Sequence, residues 1–105
     1  MTDLEITKLC AAAMGLPTDV AQEDETGPYL KCSRYYRYQP LHDDAQAMAL
    51  VKKFRLSVNS YNDEYQVWPT RIDQDTAGKA CTFHADLNRA IVRCVAKMRQ
   101  AKGGK

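Results

Sequence analysis

No stretch of the 105 residues approaches the roughly 18 to 20 consecutive apolar side chains that a membrane-spanning helix requires. The opening Met1-Thr2-Asp3 begins an acidic amphipathic segment where a secretory signal would be basic, so the expected location is the cytoplasm. The four cysteines, Cys10, Cys32, Cys81 and Cys94, stand far apart and include no C-x-x-C, the close pairing that zinc sites use. With no export signal, disulfides are not expected either. The cysteines read as small buried hydrophobes with reduced thiols, and neither a metal nor another cofactor is expected. G-x-G-x-x-G, G-K-[ST] and H-E-x-x-H are all missing. Nothing in the spacing brings His42 or His84 to a cysteine, so no catalytic residue is assigned and enzymatic activity is not expected. Fifteen cations against thirteen anions leave a net charge of +2, too small for a whole-molecule field that would select a polyanion.

What is present describes one mixed α and β domain. The hydrophobic fraction of 45% and charged fraction of 27% are those of a globular chain, and the length suits a single core. Residues 1–101 are expected to form it, with 102–105 as a disordered tail. The best-defined element starts after Pro40. Proline biases Gln39 away from helical angles, and Asp43 is placed to accept from the orphan N–H of Gln46, whose side chain can reach back. Asp43 and Asp44 meet the positive end of the helix dipole, while Lys52, Lys53 and Arg55 meet the negative end. Ala47, Leu50, Val51 and Phe54 recur at i, i+3, i+4 and i+7, a stripe to be buried against a sheet.

Around this helix the other elements follow in order. Thr2 and Glu5 form a capping box for a first helix with the stripe Ile6, Leu9, Cys10 and Ala13, stopped near Met14 by Gly15 and Pro17. Asp19 to Gly27 carries charge without an apolar period and reads as an exposed acidic loop. Pro28 to Ser33 reads as a strand, and 56–68 as a hairpin turning at Asn62-Asp63. Its Leu56, Val58 and Val67 are expected beneath the helix stripes. Pro69 either ends the second strand or faces an open edge. Asp73 to Lys79 reads as a polar loop, Ala80 to Phe83 as a short strand, and Leu87, Ile91, Cys94, Val95 and Met98 as the stripe of a last helix.

Three stretches carry a family resemblance: Leu4 to Gly15, Pro40 to Val51, with its Pro-Leu-x-Asp-Asp-Ala-Gln-Ala run, and Asp86 to Met98. Through them the chain resembles the small bacteriophage and prophage proteins of the phage ABA sandwich family. The resemblance implies an α+β fold, a three-layer helix/sheet/helix sandwich with a small, mostly antiparallel sheet, and an origin in a phage or prophage acting within the host bacterial cytoplasm. It carries over no established activity. The acidic loop and the Tyr/Arg run at Arg34 to Tyr38 depart from what is shared.

Arg34, Tyr35, Tyr36, Arg37 and Tyr38 alternate cations with aromatic rings. The rings can pack against sheet and helix with their polar ends in water. Alternatively, the run is a surface for a protein partner, since Tyr and Arg dominate interface hot spots. The second use implies a small accessory protein, monomer or homodimer, that binds a host protein, with inhibition of an antiphage defence system as its specific form. The alternative partner is nucleic acid, contacted by Arg34 and Arg37 together with a ridge of Arg89, Arg93 and Lys97 spaced four apart on the last helix.

Overall fold

Thr2 starts the chain's first helix as the spacing predicts. The Glu5 N–H donates to Thr2 Oγ1 (3.1 Å) and the Thr2 N–H to Glu5 Oε1 (3.0 Å), so two orphan donors satisfy each other. The computed structural model describes residues 2–25, 27–33, 36–70 and 80–103. Within it, helix α1 spans Asp3–Ala13 and closes at Met14, after which Gly15 takes the left-handed conformation (φ 76°) that stops the helix. Strands β1 (Ala21–Asp24), β2 (Gly27–Ser33) and β3 (Tyr36–Tyr38) follow, then α2 (Asp44–Phe54), the hairpin β4 (Leu56–Tyr61) and β5 (Glu64–Pro69), β6 (Thr82–His84) and α3 (Leu87–Gly103).

The strands make two antiparallel three-stranded sheets, ordered β1-β2-β3 and β4-β5-β6. The α+β class is as expected and the architecture is consistent with a helix-and-sheet sandwich, but the single sheet layer is divided in two. The stretch 19–27 needs correction. Instead of a loop, its middle is β1, paired with β2 from Ala21 opposite Leu30 to Asp24 opposite Gly27. All four β1 side chains are exposed, so no apolar alternation marks the strand in the sequence. Pro69 is the last residue of β5, opposite Leu56, beyond the stretch Tyr65 to Val67 that β6 pairs with. Its missing N–H therefore costs no ladder bond. The expected loop at 73–79 lies outside the described residues.

The core is centred on α3, not on α2. Ala90, Ile91, Val92, Cys94, Val95, Ala96 and Met98 are all buried, whereas α2 fully buries only Ala47 and Leu50, with Val51 and Phe54 partly covered. Helix α3 packs on α1, α2, β5 and β6, and α1 packs on β2. Leu56 and Val67 are buried as expected, but Val58 is 42% exposed. It lies on the outer strand β4, beside the two strands that α3 covers. Helix α3 also runs through Lys102 and Gly103, two residues of the expected tail.

Asp3 in the first turn of α1 accepts from both arms of the Arg89 guanidinium, Nη1 to Oδ1 at 2.8 Å and Nη2 to Oδ2 at 3.2 Å. That hydrogen bond is the main reason the Asp3 carboxyl titrates below its usual 3.8, and it raises Arg89 in turn. Burial pushes the Cys10 and Cys94 thiols up to about 12, and Cys10 Sγ donates to the Val92 carbonyl (3.4 Å). All four cysteines are free thiols.

Three outcomes follow from this packing. Leu50→Asp should unfold the protein, because an unpaired carboxylate in the core costs more than about 4 kcal/mol against a net stability of roughly 5–15; a native thermal melt would show the helix face to be assigned wrongly. Asp3→Asn should lower stability by about 1 kcal/mol at neutral pH, discounted because the carboxylate side chain is 39% exposed. A depressed carboxyl contributes stability above its unfolded pKa and loses it as pH falls through the folded value, so the gap between variant and parent should close as pH falls from about 5 toward 2. Denaturant melts along that range test it. In the native protein, alkylation should reach the half-buried Cys32 and Cys81 first, and all four thiols only on denaturation, as read by mass spectrometry.

Candidate functional site

The outward face of the first sheet is set by register. Gln22 lies opposite Tyr29, Lys31 opposite Arg37 and Ser33 opposite Tyr36, with a shift in the ladder between Lys31 and Ser33. Residues paired across strands share a face, so these side chains gather on one side while Leu30 and Tyr38, also opposite each other, turn into the core. The outward set, with Gln39, Asp43 and Gln46, lines an open cleft of about 480 Å³.

Arg37 is held from two sides in the cleft. Its guanidinium sits 4.5 Å from the centroid of the Tyr29 ring, and Nη1 donates to Asp24 Oδ2 at 2.9 Å. The Tyr29 hydroxyl donates to Gln22 Oε1 at 2.7 Å. Strand β1 thus orients both an acid and an amide toward the aromatic and cationic residues of β2 and β3. The Arg37–Asp24 pair is exposed and contributes little energy; its consequence is orientation.

The α2 N-terminus holds β3 in place. Asp43 Oδ1 accepts from the Gln46 N–H (3.0 Å), as predicted. The Gln46 side chain does not return the bond to Asp43; its Oε1 accepts from the Gln39 N–H and its Nε2 donates to the Arg37 carbonyl, both at 2.7 Å. One amide side chain therefore occupies the backbone edge of β3 as a neighbouring strand would. Tyr36 is 41% exposed beside this junction, and burial of its ring is the largest cause of its raised phenol pKa.

The five-residue run is divided by the fold. Tyr36 and Arg37 face the cleft, and Arg34 and Tyr35 lie outside the described residues. Tyr38 is a correction: it is 1% exposed, part of the core, so it cannot contact a partner. Its hydroxyl has no hydrogen-bond partner among the described residues, and burial drives its pKa well above the ordinary phenol value.

The basic surface is divided as well. Arg89 is committed to Asp3, which removes the first member of the ridge, while Arg93 and Lys97 stay exposed on α3. Arg37 belongs to the first sheet and is paired with Asp24, so α3 and the sheet do not supply one continuous set of free cations. His84 Nδ1 accepts from the Asp86 N–H (2.9 Å), and Asp86 Oδ1 from the Asn88 N–H (3.2 Å), so His84 helps to cap α3. Cys32 Sγ donates to the Pro17 carbonyl (3.7 Å), and Cys81 Sγ accepts from Gln66 Nε2 (3.5 Å). Among the described residues no three metal-ligating side chains come together, and no helix is long and apolar enough to cross a membrane.

Tyr29, Gln22 and Gln46 were not expected in the site. The alternation of Tyr29, Lys31 and Ser33 was a usable signal for the first, but Gln22 depends on a strand that carries no pattern. Compared with protein-family models, with curated proteins and with solved structures, the chain shows no match.

Proposed function

We propose that this protein acts by binding another protein through the outer face of its first sheet, as a small phage- or prophage-encoded accessory factor directed at a host protein in the bacterial cytoplasm. Inhibition of a host antiphage defence system is the specific form of that role. The phage assignment rests on the resemblance to the ABA sandwich proteins. The binding surface rests on one observation: Arg37 lies over Tyr29 and against Asp24, with Tyr36 exposed beside it. Tyrosine and arginine bury large areas while keeping a polar end, and here the arginine is already oriented, which lowers the entropy lost on association. The Asp24 carboxylate against Arg37 favours a protein over a phosphate backbone, which an acid repels. Nucleic acid remains the competing partner through the exposed Arg93 and Lys97.

The Tyr36→Ala, Arg37→Ala double variant should keep the parent's circular dichroism and thermal melt, because both side chains are exposed. It should lose capture of the partner from host lysate, with hot-spot losses of about 2 kcal/mol or more per residue. Undiminished capture would move the binding surface elsewhere, and loss of the fold would make both residues structural. A mobility shift with oligonucleotide at two salt concentrations tests the competitor, since phosphate-driven binding must fall steeply with salt.

A further inference from the structure

The first sheet has two outer strands, and they are finished differently. On β3 the Arg37 carbonyl and Gln39 N–H are taken by the Gln46 side chain, and the Gln39 carbonyl accepts from the His42 N–H at 2.9 Å. That edge is closed. On β1 the Lys31 N–H donates to the Val20 carbonyl at 2.9 Å, which fixes the alternation along the strand: Gln22 turns its backbone groups toward β2, while Ala21 and Glu23 turn theirs outward. Pro28 opposite Glu23 agrees, because a residue with no N–H fits a pair that exchanges no ladder bonds. Among the described residues no strand lies on that side of β1.

The outward side of β1 borders a groove of about 390 Å³ running to the start of α1. Leu4, Ala21 and Pro28 give it an apolar lining, and Asp3 and Glu23 an acidic one. From Asp19 to Glu25 the chain has four acidic residues and no basic one. Such charge discourages a second copy from pairing β1 with β1, which would bring acid onto acid, but it suits a strand of opposite sign.

We propose that β1 accepts an extended, lysine- or arginine-bearing segment of a protein partner as a fourth strand of this sheet. Its backbone pairs with the outward N–H and C=O groups of Ala21 and Glu23; its basic side chains, on the groove face, lay their apolar stems along Leu4 and Pro28 and bring their charged ends to Glu23, and the alternate side chains turn to the opposite face. This rests on the reading of the sheet as a protein-binding surface and specifies how the partner engages it.

The test is a titration of isotope-labelled protein with a synthetic peptide of alternating lysine and valine, followed by amide NMR. Shifts are expected at Ala21 to Asp24 and Thr2 to Leu4, with slowed hydrogen exchange at the Ala21 and Glu23 amides and weaker binding at higher salt. A glutamate-for-lysine peptide should not bind. Glu23→Pro removes one outward N–H without touching the ladder to β2 and should weaken binding about tenfold. Glu23→Gln, which keeps the N–H, should weaken it less. Equal binding by Glu23→Pro in a folded protein, equal binding of the acidic peptide, or parent shifts that leave β1 unmoved would overturn the proposal. Should Glu23→Pro not fold, the shift and exchange pattern of the parent decides. If β1 stays unmoved while the Tyr36→Ala, Arg37→Ala variant has lost its partner, edge pairing fails and the protein-binding surface stands; if that variant keeps its partner, the surface itself is wrong.

Discussion

Burial of α3 on nearly every side is the constraint on which the other elements depend. From Ala90 to Met98 only Arg93 and Lys97 reach solvent, both on the flank left free by α1, α2, β5 and β6. Removing Ile91, Val92 and Val95 from water contributes roughly 5–8 kcal/mol before entropy is counted, comparable with the whole net stability of a domain this size. Polar contacts then fix where α3 sits along each neighbour. Cys10 donates to the Val92 carbonyl from α1, the Thr82 hydroxyl to the Ala90 carbonyl from β6 (2.6 Å), Asn88 to Asp44 of α2 (2.8 Å), and Arg89 grips Asp3. Sliding α3 by one turn would break all four, so apolar burial supplies the energy and these contacts supply the register.

Helix α2 contributes less to the core and more to the candidate site. Its cap begins a chain of dependence: Asp43 fixes the first turn, the first turn aims Gln46, and Gln46 holds the Arg37 carbonyl and the Gln39 N–H. With β3 held against β2, Arg37 falls opposite Lys31 and over Tyr29. A helix cap worth about 1 kcal/mol thereby orients a cation two elements away.

What was legible in the sequence was whatever rests on local periodicity or capping. The Thr2–Glu5 box, the Asp43 cap and the hairpin turning at Asn62, which adopts φ 55°, all depend on residues within a few positions of each other. Three things were not legible, each for a physical reason. Strand β1 is fully exposed, so hydrophobic alternation, the usual mark of a strand, cannot exist there. The centrality of α3 was hidden because Ala90, Val92 and Ala96 lie beside the apolar stripe that was read, and a stripe does not reveal how many neighbours a helix will have. The role of Arg89 depended on Asp3, 86 residues away, and no spacing rule reaches that far. Within the Tyr/Arg run, alternation assigns Tyr38 and Arg37 to opposite faces but cannot say which face is buried; that follows only from β2, where Leu30 points inward and Lys31 outward.

The choice between a protein and a nucleic-acid partner turns on the same register. Strands β1 and β3 flank β2 and so lie about 9–10 Å apart, close to the Debye length of roughly 8–10 Å at physiological salt. Acids across that span are therefore substantially screened, and the carboxylate that matters over Arg37 is the one in direct contact with it. Asp24 already pairs with that guanidinium at 2.9 Å. A phosphate approaching Arg37 would have to displace a carboxylate, whereas a partner carrying both signs could place cations against β1 and an acid or carbonyl near Arg37 and Lys31. Pairing within the sheet leaves a surface divided in charge, acidic at Asp24 on β1 and basic at Lys31 on β2 and Arg37 on β3, and such a pattern is matched by side chains of both signs and poorly matched by a uniform polyanion.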